Sequence, residues 1–269
     1  MSALQAWVDG VGVLGPGLPD WSATRAVLRG ESPYAPAATV LPVAAALPAA
    51  ERRRASSVVR LCLASGLEAV NACGLPADTL PTVFASSGGD NANCHAICEA
   101  LASADRLLSP TRFHNSVHNA ASGYWGIATG ARTASAVIGA HDASVAAGLL
   151  EALASLASEP RPLLLLVYDT AYPQPLHRVR PTADSFAAAL VLSPQRGVHS
   201  IGAITLDARA PWTDAAPSAV AHAGLETLRR NIPAARVLPL LHALATHAEA
   251  SLALDHGTSR RLALRVTQR

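Results

Sequence analysis

Short apolar runs alternate along the chain with longer segments in which apolar residues recur every three or four positions. The short runs predict strands at residues 7–14, 82–87, 134–138, 163–168, 186–192 and 201–206. The longer segments predict helices at residues 51–73, 92–102, 119–130, 143–157 and 219–250, the last broken near Pro233. Because the run at 163–168 is apolar throughout, we expect that strand to be covered on both faces.

The order of these elements predicts the fold class. Strands that alternate with helices are typical of an α/β layered domain with a mostly parallel sheet covered by helices. After the C-terminal helices, residues 251–254 and 261–266 alternate on either side of Asp255-His256-Gly257-Thr258, which predicts a β-hairpin with its turn at these four residues. We expect a single domain over residues 1–269.

Composition narrows the classes of function. Half of the residues are hydrophobic and only 15% are charged, so much of the surface must be apolar or covered by a partner subunit. A net charge of +2, scattered along the chain, gives no case for nucleic acid or a membrane surface. The apolar runs are too short to cross a bilayer and no signal peptide is recognised, so we expect a cytoplasmic protein.

The four cysteines fit that compartment as reduced thiols. Cys62 and Cys73 lie on one predicted helix and are interpreted as small core residues. Cys94 and Cys98 are four apart on the helix 92–102 with His95 beside them, which places both thiols on one face. We favour buried or half-buried bystanders, with a thiolate at Cys94 activated by the helix N-terminus and a metal pair as alternatives.

The densest run of polar side chains extends from Ser109 to Asp142. His114 and His118 are four apart, and we interpret them as a hydrogen-bonded pair that fixes a buried loop. Asn119 is expected to cap the helix that Gly130 ends. His141 and Asp142 follow the strand 134–138 in a sharp turn, where we expect Asp142 to cap the next helix, or the two to line a pocket.

Residues 109–124, SPTRFHNSVHNAASGY, resemble a motif of the ketosynthase-like members of the thiolase superfamily, specifically of short proteins similar to the N-terminal half of a β-ketoacyl synthase. Supporting similarities are DGVGVLGPG at 9–17, residues 21–30, SGLEAVNACG at 65–74 and TVFASSGG at 82–89. The resemblance covers about residues 6–195. It implies a thiolase-like layered fold, half of a ketosynthase, with residues 196–269 as a C-terminal strand, helices and hairpin.

The resemblance also implies that chemistry has been lost. In condensing enzymes the turn after the strand 134–138 holds a cysteine, and here that position falls on Ala140, or on His141 if the register shifts by one. Neither side chain can form a thioester. The family's two catalytic histidines belong to its C-terminal half, which the resemblance implies is missing here, although residues 255–258 are similar to one of those histidine motifs. We therefore expect no catalytic residue, no metal and no cofactor.

The resemblance implies a noncatalytic, chain-length-factor-like subunit that forms a heterodimer with a full-length β-ketoacyl synthase in polyketide, fatty-acid-like or aryl polyene biosynthesis. An acyl carrier protein is a second candidate partner, attracted by the arginines at 52–54. The candidate dimer strand consists of Ala134, Ser135, Ala136, Val137 and Ile138. Candidates for the pocket or tunnel are His114, Asn115, His118, Tyr124, Trp125, Ala140, His141 and Asp142.

Two alternatives from other classes remain open at this point. One is an independent acyl-transferring or hydrolytic enzyme that uses Cys94 as its nucleophile beside a histidine. The other is a homodimeric scaffold whose identical chains pair through the same strand.

Overall fold

The computed structural model describes residues 3–256 and 260–268. Its strands are β1 (Ala3–Leu14), β2 (Thr82–Ala85), β3 (Ser135–Ile138), β4 (Leu163–Asp169), β5 (Phe186–Ser193), β6 (Gly202–Asp207), β7 (Trp212–Thr213), β8 (Ala250–His256) and β9 (Arg260–Thr267). Its helices are α1 (Trp21–Leu28), α2 (Ala49–Arg54), α3 (Ser57–Cys73), α4 (Asn91–Ala102), α5 (Pro110–His114), α6 (Ala120–Thr129), α7 (Ser144–Ser158), α8 (Leu176–Val179), α9 (Ala223–Asn231) and α10 (Leu238–Thr246). Short 3-10 helices lie at Ala77–Thr79, His141–Ala143 and Pro233–Val237.

The predicted elements are found close to their expected positions, with two differences. The helix expected at 51–73 is two helices, α2 and α3, because the chain is extended at Ala55 and Ser56, and serine favours the start of a helix. The expected hairpin is formed by β8 and β9, but Asp255 and His256, predicted to lie in its turn, belong to β8, which pairs with β9 from Ala250 with Val266 to His256 with Arg260. Of its predicted turn, Gly257 and Thr258 lie outside the described residues.

The described strands form one sheet in the order β3-β2-β4-β5-β1-β6-β9-β7, with β8 also paired to β9. Within the described chain, parallel pairing joins β2 to β3 and to β4, and the other strand pairs are antiparallel. The α/β layered class is confirmed, but the parallel part of the sheet is smaller than predicted. The reason is that helices cross over the sheet between β2, β3 and β4, whereas β4 returns to β5 through a loop at residues 170–185.

Helices cover both faces of the central sheet, as strand β4 shows residue by residue. Its positions 163, 165 and 167 belong to a core shared with α7, α10 and the 3-10 helix Pro233–Val237. Its positions 164, 166 and 168 belong to a second core shared with α3 and α6. All residues of β4 are buried, which explains its continuous apolar run. No helix in the described residues is long and apolar enough to span a bilayer.

Helix α3 lies directly against β1 because two positions of that strand have no side chain. A Cβ atom built on Gly12 would lie 1.9 Å from the backbone oxygen of Ser65, and one on Gly10 would lie 2.1 Å from that of Ala69. The neighbouring Val11 faces the opposite core. The alternation of glycine and valine therefore lets one face of β1 contact a helix backbone while the other fills the core.

Gly12→Ala should therefore destabilise the protein by about 3 kcal/mol, since the added methyl group can be accommodated only if α3 moves away from the sheet. The matched control is Gly123→Ala in α6, where a Cβ would meet no atom within 4 Å. That control should leave the free energy of unfolding unchanged or raise it by up to about 1 kcal/mol. Urea unfolding of both variants makes the comparison, and equal effects would contradict the packing argument.

Candidate functional site

Strand β3 leads into a sharp turn at residues 139–142, the 139–142 turn, before α7 begins. The Ala140 N–H donates to the Ser144 hydroxyl (3.0 Å), which donates to the carbonyl of His141 (2.8 Å). His141 has a φ of +52°, in the left-handed region that strains a residue other than glycine. The two residues that the resemblance equates with the nucleophile, Ala140 and His141, thus lie in a tightly held turn whose side chains include no thiol.

Asp142 does not cap α7 as predicted. The N-cap residue is Ala143, and the Asp142 carboxylate instead binds Arg180 Nη2 at 2.5 Å and Arg236 Nη2 at 3.0 Å. His141 Nδ1 lies 3.6 Å from the same carboxylate. Two guanidinium groups bind a carboxylate more strongly than neutral amides do. Sequence reasoning missed this arrangement because the arginines are 38 and 94 residues away.

The 139–142 turn forms one side of a cleft of about 630 Å³, the carboxyl-edge cleft. The cleft lies here because the carboxyl ends of the parallel strands β2, β3 and β4 meet at one edge of the sheet, where α/β folds place ligands. Its other lining residues come from the turn after β2 and the start of α4, from the 170–185 loop, and from the end of α9 and the start of the 3-10 helix Pro233–Val237. They are Ser87, Gly88, Asn91, Tyr172, Leu176, Val179, Arg180, Pro181, Thr182, Arg230, Asn231 and Pro233.

A buried carboxylate, Asp169, holds together the segments that line this cleft. Asp169, the last residue of β4, is 1% exposed and accepts hydrogen bonds from Ser87 N (3.0 Å), Ser87 Oγ (2.6 Å), Ser86 Oγ (3.2 Å) and Ala234 N (2.8 Å). The Ser87 hydroxyl also lies 3.0 Å from the phenol oxygen of Tyr172. Burial raises the pKa of Asp169 to about 6, and these hydrogen bonds offset only part of that effect. Its sequence signal is a single acid at the end of an apolar strand.

The raised pKa of Asp169 predicts a pH dependence of stability. Because the native state holds this proton more tightly than the unfolded chain, the contribution is fully present below pH 4 and is lost as the pH rises to about 6. The shift from 3.8 corresponds to about 3 kcal/mol. Urea unfolding from pH 4 to pH 7.5 should show the native protein losing stability relative to Asp169→Asn, whose amide does not titrate. A constant or rising difference would contradict the assignment.

The two histidines of the polar run do not share a helical face. Helix α5 ends at His114, so His118 falls in the following turn, and within the described residues neither ring makes the predicted hydrogen bond. The His118 ring instead packs against two turns: Cβ atoms built on Gly89 and Gly139 would lie 3.1 Å and 3.4 Å from it. This partial burial lowers the pKa of His118. His118 therefore contacts the 139–142 turn, whereas His114 points to solvent.

The aromatic pair proposed for the pocket lies in the core. Tyr124 is 2% exposed and Trp125 1%, both between α3, α6 and the sheet. Trp125 covers Gly66, where a Cβ would lie 2.6 Å from its ring. Asn115 is also buried, and its amide donates to the Arg54 carbonyl at 3.2 Å. The structure thus separates these three residues from the carboxyl-edge cleft, because α6 turns its apolar face toward α3.

The cysteine pair of α4 is exposed, which corrects the expectation of buried or half-buried side chains. Partial burial and the neighbouring Cys98 raise the pKa of the Cys94 thiol, the opposite of the change that activates a nucleophile. His95 pairs with Glu99 at 3.2 Å. Within the described residues no hydrogen bond joins Cys94 to a histidine, and no cluster of three metal-ligating side chains exists. As predicted, Cys62 and Cys73 are core residues of α3.

Strand β3 is the edge of the sheet, and in the described chain only its inner side is paired. Thr82 N–H donates to the Ala134 carbonyl (3.0 Å) and Ser86 N–H to that of Ile138 (3.1 Å). Because the residues of a parallel strand bond alternately to one side and the other, the backbone groups of Ser135 and Val137 point outward. Such an edge is a template for another strand.

Comparisons with known proteins show the family and the fold of this chain. Residues 21–256 match the family model described as beta-ketoacyl synthase, N-terminal domain. No match is found among curated proteins.

Three solved structures cover nearly the whole chain. The ketosynthase (ApeO) in complex with its chain length factor (ApeC) from Xenorhabdus doucetiae is 22% identical, with a TM-score of 0.72 over 97% of this chain and 99% of that chain. AntDE:AntF, a type II PKS acyl-carrier protein in complex with its ketosynthase, is 12% identical with a TM-score of 0.75. The ishigamide ketosynthase/chain length factor is 13% identical with a TM-score of 0.65. Both matches cover 98% of this chain and 99% of the other chain. These matches confirm the thiolase-like fold, and the chain belongs to the β-ketoacyl synthase N-terminal domain family.

Proposed function

We propose that this protein is a noncatalytic, chain-length-factor-like subunit that pairs with a full-length β-ketoacyl synthase in polyketide, fatty-acid-like or aryl polyene biosynthesis. The observation that carries the proposal is the 139–142 turn. The turn lies between a strand and a helix, the arrangement that positions a nucleophile, and its residue His141 has a left-handed backbone conformation. The side chains of Ala140 and His141, however, cannot form a thioester. The similarity to complexes that contain chain length factors supports the same role by analogy of fold.

The free edge of β3 supports pairing with a second subunit. A partner strand would satisfy the outward N–H and C=O groups of Ser135 and Val137 and would join two sheets into one. The segment next to this edge is unusually apolar for a surface: Phe113 is 66% exposed and Val117 53%. It adjoins β3 because His118, which follows Val117, lies against Gly139. A ketosynthase partner would cover both the edge and these side chains.

An acyl carrier protein is the second partner that we propose, with the three consecutive arginines at 52–54 as its contact. Of the arginines at 52–54, Arg52 donates to the Leu47 carbonyl (2.9 Å) and Arg54 pairs with Glu51 (3.3 Å). These two side chains therefore already have structural partners.

Ser135→Pro should weaken the complex with a full-length β-ketoacyl synthase about tenfold or more, because proline removes an outward N–H and leaves a partner carbonyl without a donor. Ser135→Ala is the matched control, since it removes only the hydroxyl that bonds Thr82 and keeps the N–H. Native mass spectrometry and titration calorimetry with a full-length β-ketoacyl synthase measure both. Equal affinities for the two variants would rule out strand pairing at this edge.

The functional test is a malonyl-dependent elongation assay on the mixture, with Cys94→Ala alongside. We expect elongation to require this subunit and to survive the substitution. Acyl transfer by this protein alone, abolished in Cys94→Ala, would overturn the proposal, and self-association through β3 without affinity for a synthase would identify a homodimeric scaffold.

A further inference from the structure

Charged side chains of alternating sign form a continuous chain beside the carboxyl-edge cleft. Arg180 Nη2 lies 2.5 Å from Asp142 Oδ1, and Asp142 Oδ2 lies 3.0 Å from Arg236 Nη2. Arg236 Nη1 lies 3.0 Å from Asp255 Oδ2, and Asp255 Oδ1 lies 2.9 Å from Arg261 Nε. We call these five residues the ion-pair chain. It runs from the wall of the cleft to the C-terminal hairpin.

Each member of the ion-pair chain belongs to a different part of the fold. Arg180 lies in the 170–185 loop, over the ring of Tyr172 at 5.6 Å, and this loop also carries Leu176 and Val179 in the cleft wall. Asp142 lies in the 139–142 turn and Arg236 in the 3-10 helix Pro233–Val237. The other two belong to β8 and β9. Asp142 is thus the junction at which the cleft wall meets the segment that leads to the hairpin.

The geometry makes the members of the ion-pair chain depend on one another. The guanidinium of Arg236 donates hydrogen bonds to the Asp142 carbonyl (3.3 Å), to the Asp142 carboxylate and to the Asp255 carboxylate. The side chains of Arg236 and Asp255 are only 19% and 16% exposed, so water replaces a lost partner poorly. A change in Asp255 therefore alters how Arg236 holds Asp142, and so how Asp142 holds Arg180.

We propose that Asp142 is a positioning residue that couples the C-terminal hairpin to the wall of the carboxyl-edge cleft. The hairpin thereby sets the position of the 170–185 loop, although it does not line the cleft. This coupling goes beyond the proposed function, because it depends only on contacts within this chain. The coupling is a free energy carried by the contacts of the ion-pair chain. It acts in both directions, so a change in the cleft wall also affects the hairpin.

A double-mutant cycle with Asp255→Asn and Asp142→Asn tests the coupling. Because asparagine has one oxygen and no charge, residue 255 can no longer place a carboxylate oxygen beside each of the two arginines. We expect Asp255→Asn to speed amide hydrogen exchange about fivefold at residues 139–144 and 172–182, and to shift the imidazole NMR signals of His141. In the Asp142→Asn background the same substitution should change neither. The matched control is Asp207→Asn in β6, an exposed carboxylate that among the described residues accepts from Arg209 N alone.

A second experiment, in the opposite direction, tests the coupling even if the Asp255→Asn variant does not fold. Arg180→Gln changes the end of the ion-pair chain that lies in the cleft wall and should speed exchange in the hairpin at residues 250–256, far along the chain from the substitution. Unchanged exchange at the far end in both experiments, or effects of Asp255→Asn that are equal with and without Asp142, would overturn the proposal.

Discussion

The close approach of α3 to β1 is the constraint on which the rest of the structure depends. Glycine at positions 10 and 12 brings the helix backbone onto one face of the sheet, and on the other face Gly148 of α7 lies against Ala85, where a Cβ would be 2.7 Å away. With both faces covered, β2, β4 and β5 have no room for polar side chains in their middle, whereas Asp9 within β1 is accommodated by hydrogen bonds from Ser193 and Ser200. The polar groups of β2 and β4 therefore lie at the strand ends, and the carboxyl ends of β2, β3 and β4 meet at one cleft.

Most of the fold was predictable because the features that determine it are local. An apolar run such as β4, a glycine that ends α6, and a helix period in α7 are each visible within one segment of sequence. The direction of strand pairing was not, since it depends on whether a connection crosses the sheet or returns beside the same strand. The position of Tyr124 and Trp125 was predicted wrongly, because two aromatic side chains suit a pocket or a core equally well. In the structure both are buried in the core, where Gly66 of α3 leaves room for the Trp125 ring.

The candidate site was predictable in its backbone and much less in its side-chain contacts. The strand 134–138 and the turn that follows it were located correctly, and His141 proves to hold the strained conformation there. The partners of Asp142 and Asp169 come from segments far away in sequence, so no spacing rule could pair them. A carboxylate at the end of a strand has two outcomes, a helix cap or a tertiary contact, and in this fold nearby arginines and serines decide for the second.

The distribution of charge links these observations. Only 15% of the residues are charged, yet the ion-pair chain and the Glu226 group with Arg229 and Arg230 place several of them around one cleft. A turn that performs covalent chemistry needs its geometry held for the sake of the nucleophile. In this chain the 139–142 turn carries no thiol, and it is nevertheless held by the Ser144 hydroxyl and by the two arginines that bind Asp142. These contacts fix the shape of the cleft wall without depending on a reactive side chain in the turn.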